Sequence, residues 1–476
     1  MARKCDLFLH VKGETVVQKN DRNPSSFRDP SGYIFEQDGQ LYRHIDKSYA
    51  VHFNRLVDSG LLRHLFDNQL LVPHEVVSIP DPKEKSYATL KPTRLPLITY
   101  PYEWSFGQLK DAALLTLEVL KQSLNYGMVL KDASAFNIQF IGYKPIFIDT
   151  LSFAIYEEGQ PWYGYRQFCE HFLAPLCLSS FIGVELLKLN RLGVDGVPLK
   201  MTSTFLPLTS WFKPVPFLHI HLHAKSIEHY SNNAKVKAPR SESAKVSKRS
   251  LLAMIDHLER FLVDLKLKKT DKTQWDNYDK ETHYSDAGRL SKGNILKEFV
   301  AKVSPLSLWD LGANDGYFSR LIGNDNLLVL SLDSDALAVE KNYQNVKGTK
   351  NKNVYPLLFD VVNPSPSIGW GNEERAMLSK RTKPDLIVAL ALIHHLVITN
   401  NIPFEKIANY LCNLAEWLII EFIPIDDEKI CLLPNTAGKK SYSRQSFEFS
   451  FFNVYELIEE QKIQNSERSI LLFRRK

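Results

Sequence analysis

Three acidic residues, Asp310, Asp333 and Asp360, each follow an apolar run, and the first of them begins the stretch Asp310-Leu-Gly-Ala-Asn-Asp-Gly. The runs Leu306 to Trp309, Leu327 to Leu332 and Val354 to Phe359 read as successive buried strands. Their acids therefore stand at strand carboxyl ends, where a doubly wound sheet opens its binding crevice. Gly312 and Gly316 offer unhindered backbone where a ligand must come close. A helix starting near Tyr317 points its positive end at the same spot. A dinucleotide fold would need G-x-G-x-x-G to hold a pyrophosphate, whereas Ala313, Asn314 and Asp315 separate the two glycines here, which argues against a nicotinamide enzyme.

Acids in these three places suit a ligand with an ammonium, a ribose diol and an adenine amino group, and S-adenosylmethionine has all three. Asp333 follows Gly316 by seventeen positions, the distance at which a ribose-binding acid is expected. From about residue 275 to its end the chain resembles the class I S-adenosylmethionine-dependent methyltransferases. Asp310-Leu-Gly-Ala-Asn-Asp-Gly matches the family's first motif, with Asn314 where a glycine is more usual. The resemblance implies a Rossmann-like α/β domain with a mostly parallel seven-stranded sheet. It also implies a cofactor site of Asp310, Gly312, Asn314, Gly316, Asp333 and Asp360, with Asp310 at the amino acid end, Asp333 at the ribose and Asp360 at the adenine.

Pro384-Asp-Leu-Ile-Val-Ala-Leu-Ala-Leu-Ile-His-His-Leu looks like the family's fourth strand and substrate-facing loop. Leu418-Ile-Ile-Glu-Phe-Ile-Pro looks like its fifth strand, and the tail from Tyr455 to Arg474 like the closing pair. The stretches Ala391-Leu-Ile-His-His-Leu and Glu421-Phe-Ile-Pro resemble a bacterial subgroup that includes nodulation-type methyltransferases. His394 and His395 are the candidate catalytic residues: either could face the acceptor or take its proton, and either could be a packed structural histidine. Glu421 could equally be a structural carboxylate. Adjacent histidines do not readily face one ion, so no metal site is expected in this domain.

A second constellation lies in the first half. After an apolar helix from Ala112 to Leu124 comes Gly127-Met-Val-Leu-Lys-Asp-Ala-Ser-Ala-Phe-Asn-Ile-Gln-Phe, and then Pro145-Ile-Phe-Ile-Asp-Thr. Asp132, Asn137 and Asp149 have the spacing of a kinase catalytic loop, in which an aspartate orients a hydroxyl and an asparagine and a second aspartate hold magnesium on a nucleotide. The stretch resembles a degenerate kinase-like domain. No G-x-G-x-x-G precedes it, Leu130 replaces the usual histidine, Thr150 and Leu151 follow Asp149, and Arg43 is the nearest substitute for the strand lysine. Mg-ATP is thus a weaker expectation than S-adenosylmethionine, and the alternative is an α+β accessory domain whose Asp132 and Asn137 cap turns. Ser31 to Ile45 alternates around Asp38-Gly39 and predicts a hairpin. The aromatic pieces Tyr100 to Phe106 and Trp162 to Phe172 read as core or groove lining.

The elements that position these residues divide as follows: an N-terminal segment (1–30), an α+β accessory domain (31–222), a basic linker with an amphipathic helix (223–274) and the methyltransferase domain (275–476). Lys225, Lys235, Lys237, Arg240, Lys245, Lys248 and Arg249 mark the linker, with Lys266, Lys268, Lys269 and Lys272 beyond it. Leu251, Ile255, Leu258, Leu262 and Leu265 recur at helical spacing and predict a helix leading into the methyltransferase. A net charge of +5 over 476 residues, without aromatics interleaved among the cations, does not predict nucleic acid binding. Five cysteines without metal spacing point to a reducing, cytoplasmic setting. No apolar run of membrane-spanning length occurs, which leaves peripheral association open.

The expected activity is methyl transfer to an acceptor that the sequence does not specify, with a glycan, lipid-linked sugar or small molecule favoured. A bifunctional kinase/methyltransferase and a non-catalytic scaffold that keeps the cofactor fold are the alternatives.

Overall fold

The computed structural model describes residues 21–78, 86–232, 245–268, 286–433 and 437–476. The linker cations Lys235, Lys237, Arg240, Lys269 and Lys272, and most of the N-terminal segment, lie outside them. The chain forms two compact units, one of residues up to Ala50 with His74–Arg94, the other of Val51–Pro73 with Leu95–Lys476.

The first unit is a five-stranded antiparallel sheet in the order β1-β2-β3-β5-β4. Its strands are β1 (Asp21–Arg22), β2 (Gly32–Gln37), β3 (Gln40–Asp46), β4 (His74–Val77) and β5 (Ser86–Pro92). The predicted hairpin is β2–β3, with Gln37 opposite Gln40. Asp38 (φ 53°) and Gly39 (φ 73°) both take the left-handed conformation that a two-residue hairpin turn requires. Arg43 lies on β3, opposite Ile34 and Leu90.

In the second unit, helix α1 (Phe106–Asn125) is closed at its start by a capping box between Ser105 and Gln108. It leads through β6 (Met128–Leu130) to the hairpin β7 (Ile138–Ile141) and β8 (Lys144–Phe147), and then to β9 (Phe153–Ile155), which pairs with β6. The aromatic pieces are mostly core: Trp104, Phe106, Trp162, Phe168 and Phe172 are buried, while Tyr163 is exposed. The expected amphipathic helix is α2 (Lys248–Asp264), which precedes the methyltransferase domain in the chain. It packs back on α1, burying Leu251, Ile255, Leu258 and Leu262, each worth about 1.5–3 kcal/mol. Lys121 on α1 meets Asp256 (2.8 Å) and Glu259 (3.3 Å) on α2.

After helix α3 (Asp286–Val303) comes a seven-stranded sheet in the order β12-β11-β10-β13-β14-β16-β15. Its strands are β10 (Ser307–Leu311), β11 (Leu328–Asp333), β12 (Val354–Leu358), β13 (Leu386–Ala389), β14 (Trp417–Phe422), β15 (Tyr455–Lys462) and β16 (Ser469–Arg475). β10 to β14 are mutually parallel, and β16 runs antiparallel to both its neighbours, β14 and β15. Strand order reverses between β10 and β13, which places the crevice at the carboxyl end of β10. Both faces of the sheet are covered. Leu308, Val329 and Val388 belong to one apolar cluster with α3, whereas Trp309, Leu330 and Ile387 join a larger cluster that continues into the helical part around α1.

That continuity is reinforced by polar contacts. On helix α5 (Ala336–Thr349), which follows the short helix α4 (Tyr317–Ile322), Tyr343 donates to Asp111 (2.6 Å) and to the Tyr143 carbonyl (3.0 Å). Lys347 meets the same Asp111 at 2.5 Å. Arg381 forms a buried ion pair with Glu103. Gly142, at the tip of the β7–β8 hairpin with φ 59°, allows the closest approach, because a Cβ there would lie 2.4 Å from the Lys352 Cα.

Candidate functional site

The carboxyl ends of β10, β11 and β12 open onto one cavity of about 310 Å³. Asp310, Gly312, Asn314, Asp333 and Asp360 all line it, so five of the six expected cofactor residues come together. Gly316 does not line it. With φ 71° it caps α4, and a Cβ there would stand 2.2 Å from the Asn342 amide, so its role is to let α4 sit against α5.

The polar groups of the site are held from below. Burial pushes the Asp310 carboxyl up to about 6, against the hydrogen bond from Ser319 Oγ (2.6 Å) and the nearby Lys292 ammonium. Burial also pushes Asp333 up to about 6, opposed by the N–H groups of Asp335 (2.9 Å) and Asn314 (2.8 Å). Asp360 accepts from the Val362 N–H (2.9 Å), which tightens the turn after β12. Asp335 caps α5 by accepting from Leu337 and Ala338 and lines the cavity mouth.

The two histidines separate. His395 lines the cavity with Thr399 and Asn400, at the start of a π-helical turn over His395–Thr399. His394 is buried, 2% exposed, and does not line it. The backbone turn before them is held by Glu421: Ala391 adopts φ 49°, and its N–H donates to Glu421 Oε2 at 2.9 Å. Glu421 is fully buried, takes Lys292 Nζ at 2.6 Å and has Arg468 at 3.8 Å. Its contacts are those of a structural carboxylate at the end of a strand.

Two cavity cations went unnoticed in the sequence, Arg289 and Lys292. They lie three apart on α3, a spacing that puts both on one helix face, and that spacing was the available signal. The Arg289 guanidinium stacks 3.7 Å from the Tyr317 ring centroid, and Lys292 Nζ sits 5.0 Å from that of Phe318. The walls are apolar, with Leu332, Phe359, Val361, Leu390, Leu392 and Leu396. Acids on one side, a cation at the α3 end and apolar flanks fit a zwitterionic nucleoside. Among the described residues no group of histidine, cysteine, aspartate and glutamate could hold a metal ion.

The second constellation also converges. The Asp132 carboxyl accepts from the Ser134 N–H (2.9 Å). Its pKa is raised by burial and by the Asp149 charge, against hydrogen bonds that include one from Asn137. Asn137 donates to Ser152 Oγ (3.1 Å), which in turn donates to Asp149.

Strand order, parallel pairing and the row of strand-end acids define the second half of the chain as a methyltransferase-like α/β domain. No protein-family profile matches the chain. The nodulation protein NoeA of Rhizobium meliloti (strain 1021) is 34% identical over 488 aligned positions, covering 100% of both chains. The chain belongs to the NoeA family of nodulation proteins. Among solved structures, the N-methyltransferase NodS from Bradyrhizobium japonicum WM9 covers 40% of this chain with 98% of its own, at 11% identity and a TM-score of 0.31. The magnesium protoporphyrin IX methyltransferase ChlM from Synechocystis PCC 6803, with S-adenosylmethionine bound, covers 43% with 92% of its own (15% identity, TM-score 0.31). The bifunctional kinase–methyltransferase WbdD covers 45% of each chain (12% identity, TM-score 0.29).

Proposed function

We propose that the protein transfers a methyl group from S-adenosylmethionine to a small or glycan-type acceptor. The observation that carries this reading is the convergence of Asp310, Asp333 and Asp360, from three adjacent parallel strands, on one cavity. The cofactor supplies an electrophilic methyl on a sulfonium; the chain's own residues bind, orient and exclude water. Asp333 would accept from the ribose hydroxyls, Asp360 would hold the adenine, and Asp310 would take the amino acid end, with Arg289 available for its carboxylate. His395 is the group placed to take a proton from an acceptor hydroxyl or amine. His394 serves packing. The relative NoeA is described as a nodulation protein, which supports looking for the acceptor in that process. Calorimetry of the full chain with S-adenosylmethionine tests the reading, and absence of binding by the folded protein would remove it.

A second reading concerns the first half. Strand β6, the loop carrying Asp132 and Asn137, the hairpin β7–β8 and then Asp149 follow one another in the order of a kinase catalytic segment, and the three side chains meet. The expected glycine-rich loop and strand lysine are missing, so this part is read as kinase-derived and without phosphoryl transfer, serving to hold or present the acceptor.

A further inference from the structure

The segment Val184–Leu192 of the helical part lies beside two neighbouring turns that carry lining residues of the cofactor cavity. It is a nine-residue 3-10 stretch, pinned by its buried Val184, Leu187 and Asn190. From its last turn Arg191 reaches 172 residues along the chain, and its Nη1 donates to the Asn363 carbonyl at 3.1 Å. Its Nη2 donates to the Pro364 carbonyl at 3.0 Å and lies 3.5 Å from Asn363 Oδ1. Those carbonyls close the turn that begins at Asp360: the Asn363 N–H returns to the Asp360 carbonyl (3.2 Å), and the Val362 N–H to its carboxylate (2.9 Å). Asp360, Val361 and Val362 are cavity lining. The same segment sets Glu185 and Lys188 close enough to Asp335, a lining residue of the neighbouring turn after β11, for their charges to act on it.

We infer that Arg191 is a positioning residue for the adenine side of the cofactor site, so that the helical part of the chain holds in place one wall of a cavity whose lining comes from the methyltransferase domain. The inference rests on the cofactor reading above. A turn of five residues ending in a proline, 360–364, has few hydrogen bonds of its own to fix it. Two carbonyls gathered by one planar guanidinium supply that constraint, and a lysine could satisfy only part of the fork. Arg191 does not reach the cavity itself, so its effect must pass through the 360–364 turn and fall on the nucleoside rather than on the amino acid end.

The test uses the full chain and two probes, S-adenosylhomocysteine and 5′-methylthioadenosine, which share adenosine but differ in the amino acid portion. Arg191→Ala should weaken both equally, by about five- to tenfold, with Arg191→Lys recovering part of the loss. Lys347→Ala, which breaks an ion pair joining the same two parts of the chain away from the cavity, should leave both affinities unchanged. Without any probe, the amides of Val361, Val362, Asn363 and Ser365 should exchange faster in Arg191→Ala than in the wild type or in Lys347→Ala. Should Arg191→Ala fold poorly, Arg191→Gln gives the same reading. Wild-type binding of both probes with unchanged affinity in the Arg191 variants would overturn the inference while leaving the cofactor assignment standing. So would an equal loss in Lys347→Ala. If the wild type binds neither probe, the cofactor reading falls first and this inference with it.

Discussion

The Asn314 N–H donates to Asp333 Oδ2 at 2.8 Å, joining the turn after β10 to the acid that ends β11. Asn314 makes this contact in the left-handed conformation, φ 52°, which explains how asparagine can stand where the family more often has glycine. The bond fixes one oxygen of Asp333 from the protein side, and the Asp335 N–H takes the other at 2.9 Å. The carboxylate is therefore oriented before any ligand arrives.

Removing that oriented carboxylate should weaken the cofactor. A charge-assisted hydrogen bond contributes about 1.5–3 kcal/mol, so Asp333→Ala should raise the dissociation constant for S-adenosylhomocysteine by about 10- to 100-fold. Calorimetry measures this directly. Equal affinities in wild type and variant would take Asp333 out of the site.

Asp310 and Asp333 also predict a pH dependence. Both carboxyls lie near 6 in the folded protein, above their unfolded value, because burial disfavours the charge. Between the two values the folded state holds more protons than the unfolded one, so the stability of the ligand-free protein should fall as pH rises from about 4 to 6. Cofactor binding has the opposite sign, since the diol and ammonium need ionised acceptors. Affinity should drop about tenfold per group on going from pH 7 to pH 5, and Asp333→Asn should flatten the profile. A binding curve level from pH 5 to 7 would contradict both assignments.

Much of this site was legible because strand-end acids and glycines are local signals. Apolar runs of strand length place Asp310, Asp333 and Asp360 without reference to anything distant. The hairpin at Asp38-Gly39 was legible for the same reason, since two left-handed residues need particular side chains. What escaped depends on long-range pairing. Arg191 with Asn363, Arg381 with Glu103, and Lys292 with Glu421 join residues separated by 172, 278 and 129 positions, and no period or motif connects them. Helix α2 shows the same limit: its apolar stripe fixed that it would pack, while only the tertiary structure fixed α1 as its partner. His394 and His395 were indistinguishable as neighbours until the π-helical turn sent one ring to the cavity.

That separation of the histidines sets a third prediction. With an acceptor in hand, His395→Ala should lower turnover by about 100- to 10,000-fold with cofactor affinity nearly intact. His394→Ala should instead lower thermal stability, with turnover falling only as far as folding does. The reverse pattern would return His395 to a packing role.

Lys292 and Glu421 should behave as a unit. Both are nearly inaccessible, 4% and 0% exposed at the side chain, so removing Lys292 leaves the buried Glu421 charge with only the more distant Arg468 cation at 3.8 Å, a loss toward the lower end of the about 3–5 kcal/mol typical of a broken buried pair. Lys292→Met should lower the melting temperature sharply, and adding Glu421→Gln should recover part of the loss. Glu421→Gln alone would also loosen the Ala391 turn ahead of His395. Additive losses in the double variant would show that the two residues act independently.

The last prediction separates a working phosphoryl-transfer site from a relic. The Asp132 carboxyl is raised by burial and by the charge of Asp149, so keeping Asp132 ionised at neutral pH opposes folding. In an active site that cost is retained for function; in a relic, relieving it is free. Asp132→Asn keeps an acceptor for the Ser134 N–H and removes the charge, so it should raise the melting temperature at pH 7, and the gain should shrink as pH is lowered toward the raised pKa. Without a glycine-rich loop or strand lysine to neutralise phosphate charge, ATP turnover by the full chain should be indistinguishable between wild type and Asp132→Asn. Thermal melts across pH together with an ATPase assay settle the matter. Turnover that disappears in Asp132→Asn would establish a bifunctional enzyme.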